Sequence, residues 1–171
     1  MSLVRGRRIV AALAALSLVG VVAAAAVWPS TSPTLIRAKA MVLGPRWVYR
    51  PLVADDDRWA EVLQGVRSGD LAWLHAAVAL QPALDTHPGE EMLEAIVTVL
   101  DVNPSGAVSV LLPVYGVSLV CAQDEDGAPL GEARAGQRRQ LLDGLRNAAD
   151  VNVAACRAAI SHLVGARAPR S

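Results

Sequence analysis

Between residues 55 and 163, helix-starting residues alternate with apolar residues spaced three and four apart, and that rhythm predicts an all-helical fold. Asp55, Asp56 and Asp57 stand where a helix dipole favours negative charge, and Trp59, Val62, Leu63 and Val66 follow on one face. Ser68-Gly69 ends that helix. Asp70 is placed to cap the next, which carries Leu71, Leu74 and Val78 and closes near Pro82 and Leu84. Pro88 suits a first helical turn, with Glu90 and Glu91 near its positive end and Leu93, Ile96, Val97 and Leu100 along its stripe. Asn103-Pro104 repeats the device ahead of Val108, Leu111 and Leu112, and Pro113 and Gly116 end it.

Residues 130–149 resume the helical pattern, with Leu141, Leu142 and Leu145 inward and Arg134, Arg138, Arg139 and Arg146 outward. Asp150 is placed to cap a last helix through Leu163 bearing Cys156, Ile160 and Leu163. Val117–Cys121 has the composition of a short strand, and residues 121–131 read as a polar loop punctuated by Gly and Pro. The expected architecture is all-α: a compact bundle or short stack of helical hairpins, five to six helices over residues 55–165, then a disordered tail at 166–171. Small Ala, Val and Leu side chains dominate and Phe is absent, which suits close helix packing.

The first 28 residues read as an address. Arg5, Arg7 and Arg8 precede the apolar run of residues 9–28, and Ala24 and Ala26 form an A-x-A site. This is the pattern of a cleaved secretory signal. The run is equally long enough for a retained membrane anchor, a transmembrane helix. Two cysteines, Cys121 and Cys156, in a chain with an export signal are expected to pair as a disulfide, and the expected location is extracytoplasmic, periplasmic or secreted.

The net charge of zero conceals blocks. Residues 1–54 hold seven bases and no acid; residues 55–126 hold thirteen acids and two bases; residues 127–171 hold seven bases and three acids. Residues 29–54 form a basic, Pro-containing linker or arm in which Trp47 and Tyr49 stand among arginines. That composition fits a membrane–water interface, an acidic surface, or a strap packed on the domain. The basic residues are scattered elsewhere and the central block is acidic, so no nucleic-acid partner is expected.

Few residues suggest chemistry. His87, Glu90 and Glu91 lie within five positions but lack the His pair with Glu of a helical zinc site, and cysteine spacings of zinc or redox motifs are absent. Phosphate-binding loops and serine-nucleophile motifs are also absent, so neither a cofactor nor a metal is expected. The acids Asp124, Glu125 and Asp126 could hold a cation or a basic partner, or lie in a solvated loop. Trp47, Trp59 and Trp73 serve either a binding surface or, in a chain without Phe, the core.

Residues 69–112, with Gly69-Asp70, Trp73-Leu74, Glu90-Glu91 and Asn103-Pro104, followed by Val120-Cys121 and Cys156, resemble a type of small exported bacterial helical protein with a two-cysteine pattern. The likeness implies fold and compartment. The type carries no assigned activity and so implies no catalytic residues. The expected function is non-enzymatic: binding another macromolecule, an envelope or secreted protein, at or near the bacterial cytoplasmic membrane, with membrane attachment through residues 9–28 if these are uncleaved. The alternative is a small envelope enzyme or ligand-binding domain built on His87, Glu90 and Glu91.

Overall fold

The computed structural model describes residues 31–84, 86–146 and 150–167. The signal or anchor expected in residues 1–28, the residue Asp85 and the last four residues of the expected tail lie outside the described residues.

The described chain is helical, with one isolated β-bridge, between Gln123 and Pro129. In order it forms α1 (Pro33–Leu43), α2 (Pro45–Val53), α3 (Asp56–Arg67) and α4 (Leu71–Leu80), the last running into a 3-10 turn at Gln81–Ala83. Then come α5 (Thr86–Val102), α6 (Pro104–Gly106), a π turn at Ala107–Leu111 and α7 (Leu112–Tyr115). The chain closes with α8 (Val117–Ala122), α9 (Glu132–Asp143) and α10 (Val151–Arg167). The all-α, compact architecture is as the periodicity requires.

Local chemistry accounts for most boundaries. Asp55 accepts from the amide of Arg58, and Asp70 from those of Ala72 and Trp73 at 2.9 and 3.3 Å. The Asn103 side chain accepts from the Gly106 amide at 2.8 Å and donates to the Gly69 carbonyl at 2.7 Å. One residue thus caps α6 and ties it to the α3–α4 corner. Each such cap stabilises by about 1 kcal/mol. At the last helix Asp150 accepts from Asn152 at 2.7 Å.

Helix α5 lies at the centre. It packs on α3, α6, α8 and α9 and buries Met92, Ala95, Ile96, Val97, Val99 and Leu100. Around it α1 packs on α4, and α8 on α10. Gly65 of α3 has a packing role: a Cβ there would meet the Trp73 ring at 2.3 Å, so its absence lets α3 and α4 close.

Four expectations need correction. First, the packed unit reaches forward to Thr31: the basic zone forms α1 and α2, and Ile36, Ala40, Val48, Tyr49 and Leu52 are buried. Of the readings of residues 29–54, the packed strap describes its inner face. Pro33 and Pro45 each start a helix, where a missing amide hydrogen costs nothing. Second, Val117–Cys121 lies in α8 and is not a strand; its buried Val120 and Cys121 pack on α5 and α10, and this tertiary burial outweighs β-propensity. Third, Leu71 is half exposed, and α4 faces the core with Leu74, Ala76, Ala77 and Leu80 instead. Fourth, against the transmembrane expectation, no helix among the described residues is long and apolar enough to cross a membrane, and the run of residues 9–28 to which that expectation was attached lies outside them. The two longest, α5 and α10, have 17 residues each, and α5 carries Glu90, Glu91, Glu94 and Asp101.

The π turn has a local cause. Pro113 has no amide hydrogen for the carbonyl of Ser109, and its ring would crowd that carbonyl in a regular helix. The wider turn just ahead of it, at Ala107–Leu111, relieves the conflict. Beyond it, Tyr115 reaches across to α4 and donates to the Ala77 carbonyl at 2.9 Å. Burial of this phenol pushes its pKa up from the ordinary value.

Candidate functional site

Cys121 of α8 and Cys156 of α10 are joined as a disulfide, with Cα atoms 5.4 Å apart. The cystine is fully buried and braces two helices that are 35 residues apart in the chain. Closing a loop of that length stabilises by roughly 3–4 kcal/mol on the chain-entropy account.

Beside it lies a heavily bonded side chain. Arg138 of α9 was expected to point outward, but its side chain is 0% exposed. Its Nε donates to Asp101 Oδ1 at 2.8 Å. Nη2 donates to Asp101 Oδ2 at 3.1 Å and to the Val97 carbonyl at 2.5 Å. Nη1 donates to the carbonyls of Cys121 and Gln123 at 3.3 and 3.1 Å. Five donors thus meet five acceptors, which is what permits a guanidinium to be buried. The α9 sequence held a clue: Ala135, Arg138 and Leu142 fall at i, i+3 and i+7 and are all buried, so Arg138 stands on the apolar stripe. Its partners on α5 and α8 are remote in sequence.

Arg134, one turn earlier, shares Asp101 at 2.9–3.0 Å and reaches Asp124 and Glu125 of the loop after α8, the latter at 3.2 Å. Burial alone would lower its pKa. The bonds to Glu125 and Asp101 and the charges of Asp101 and Asp124 reverse this and raise it. The acidic run therefore has a basic partner within its own chain. Its turn is further set by Asp124 accepting from Glu125, and Asp126 from Ala128, both at 3.0 Å. Between this loop and α5 is an open cavity of about 270 Å³ whose lining includes Glu90, Glu94 and Asp126 with Leu93, Val97 and Leu119.

The corner at His87 is open. His87 is 80% exposed and stands 3.7 Å from Glu90 and 3.5 Å from Glu91 on the first turns of α5. Glu90 is also exposed. Glu91 is engaged in the packing of the helices, since its Oε2 accepts from the indole Nε1 of Trp59 at 2.6 Å and so joins α5 to α3. Among the described residues no group of three His, Cys, Asp or Glu side chains is placed to hold a metal ion. The three residues meet as neighbours on a helix surface, with no wall to exclude water from them.

Trp47 and Tyr49, paired by their neighbourhood in sequence, are separated by the structure. Tyr49 is buried on the inner face of α2, its ring edge-on to Trp59 with centroids 5.7 Å apart. Trp47 is 77% exposed. It stands near the α1–α2 elbow, where the chain turns at Gly44 with φ 92°, a value suited to glycine. Met41 and Val42 on the other side of the elbow are 74% and 80% exposed, and Leu43 and Leu35 are exposed as well. Leu35 and Val42 are seven apart and share a stripe of α1. Arg37, Arg46 and Arg50, close to these residues along the chain, are exposed too, and the sequence has no acid before Asp55. The sequence signal for the apolar knob was Met41-Val42-Leu43 directly ahead of Gly44-Pro45, an apolar run broken by a turn.

Comparison with known proteins returns no matching family, no similar curated protein and no similar solved structure. What the structure supports of the resemblance is an all-helical protein with a cysteine pair joined as a disulfide.

Proposed function

We propose that this is an exported, non-enzymatic binding protein of the bacterial cell envelope, and that the α1–α2 elbow is its docking face. The observation that supports this reading is the elbow itself. Three large apolar side chains, Met41, Val42 and Trp47, are each about three-quarters exposed. Arginines flank them in a stretch of sequence that lacks a single acid. The inner faces of the same helices are already packed, so the fold does not need these side chains. Large apolar side chains left exposed close together in the chain, among charged ones, are the kind of surface that marks an interaction site. The disulfide and the export-like N-terminal sequence support a location outside the cytoplasm.

A photo-crosslinking residue tests the reading in the full chain within its native cells. Trp47→benzoylphenylalanine is expected to give strong crosslinks to a partner, and His87→benzoylphenylalanine, also exposed but on the corner, only background. Equal yields from the two positions would overturn the assignment of the elbow.

A further inference from the structure

We infer that the occupant of the elbow is the surface of an anionic phospholipid bilayer, on which α1 and α2 lie without crossing it. The inference rests on the docking reading above and names the partner of that face.

The elbow offers two things at once. Met41, Val42 and Trp47 stand proud at a turn between helices, and a group so exposed is a knob suited to a deformable partner. Arg37 is one turn before Met41 on α1, Arg46 and Arg50 are one turn apart on α2, and Trp47 is three residues from Arg50. Aliphatic side chains with a Trp, bordered by arginines, match the boundary between acyl chains and negatively charged headgroups. Trp places an apolar ring and a polar N–H across that boundary. Each arginine near such a surface strengthens binding about fivefold.

The competing occupants conflict with the charge pattern. A second copy docking elbow to elbow about a twofold axis would set Arg37, Arg46 and Arg50 against their own images. The thirty residues that precede the elbow helices carry Arg5, Arg7 and Arg8 and no acid, so laying them on it would also bring like charges together. An anionic surface resolves both conflicts.

The test uses the full chain with vesicles of phosphatidylglycerol, of phosphatidylcholine, and of phosphatidylglycerol brominated on the acyl chains. Trp47 is read as the difference between wild type and Trp47→Phe, which removes the signals of Trp28, Trp59 and Trp73. The expected result is a blue shift of Trp47 and quenching by the brominated lipid. Phosphatidylcholine should give neither. Arg46→Gln with Arg50→Gln should raise the lipid concentration for half-maximal quenching by about 25-fold. Arg138 is untouched in that variant, and the melting temperature should not move. Should Trp47 ignore phosphatidylglycerol while the position-47 crosslink lands on a protein, on residues 1–30 or on a second copy, the lipid assignment falls and the docking face stands. With neither a spectral change nor a crosslink, both fall.

Discussion

Two groups of arginines serve this molecule in opposite ways. Arg134 and Arg138 are drawn into the structure, where Asp101, Asp124, Glu125 and three backbone carbonyls take up their donors beside the disulfide. Arg37, Arg46 and Arg50 lie on the outside of the α1–α2 elbow, in a part of the chain that has no acid to offer them. The apolar neighbours differ in the same way: Cys121, Val97 and Leu142 are buried, whereas Met41, Val42 and Trp47 are exposed. The first group is complete within one copy of the chain. The second has surface left over, and surplus of that kind is where a partner should be sought.

The contrast can be broken most forcefully at Arg138. Arg138→Ala leaves Asp101 and three carbonyls short of donors and should cost about 3–5 kcal/mol in chemical denaturation. A loss under about 1 kcal/mol would show that the network is not a keystone. Next is the cystine: reduction, or Cys121→Ser with Cys156→Ser, should cost roughly 3–4 kcal/mol, read as a lower melting temperature in dithiothreitol. At the corner, Glu91→Ala should cost about 1.5–3 kcal/mol through the Trp59 bond, while His87→Ala leaves the unfolding midpoint unchanged. Equal effects would return His87 to consideration as part of a site.

Tyr115→Phe is smaller, about 1 kcal/mol at neutral pH, from its bond to Ala77. It also has a pH signature. The folded-state pKa lies above the unfolded one, so the phenol is neutral in both states below about pH 10 and contributes no slope there. Above that pH the unfolded chain gives up the proton first, and stability falls as pH rises. In the phenylalanine variant that part of the alkaline fall should vanish, as thermal melts between about pH 9 and 11 will show. Smallest of all, Trp47→Ser should change stability by no more than about 0.5 kcal/mol while abolishing docking. A large loss of stability would mean that the ring serves the fold after all.

The helix starts were legible in the sequence because caps are local: Asp70 and Asn103 act within three residues of themselves, and their chemistry is visible in any short window. The cysteine pairing was legible because two cysteines leave one pairing to make. Arg138 was legible only as a place on the apolar stripe of α9; its acceptors lie 15 to 41 residues away, and only the fold brings Val97, Asp101 and Cys121 to it. The α1–α2 zone was half legible. Its prolines read as breaks, although at Pro33 and Pro45 they start helices. Trp47 and Tyr49 looked alike by composition, yet two residues apart on a helix point in different directions, so one entered the core and the other stayed outside. At His87 the cluster looked chemical because of residue type. The Trp59 bond that occupies Glu91 comes from 32 positions upstream.

The π turn at Ala107–Leu111 carries a consequence for how this chain tolerates changes of length. A wide turn is one residue of slack wound into a helix. Deleting a residue there would take up that slack, returning the winding to a regular α turn and leaving the helix beyond it close to its present phase. Inserting a residue has no such reserve: it would swing everything downstream by roughly 100°, one residue's share of a turn. Tyr115 would then face away from Ala77, and the stretch leading to Cys121 would arrive out of phase with α10. At this point the fold tolerates loss better than gain.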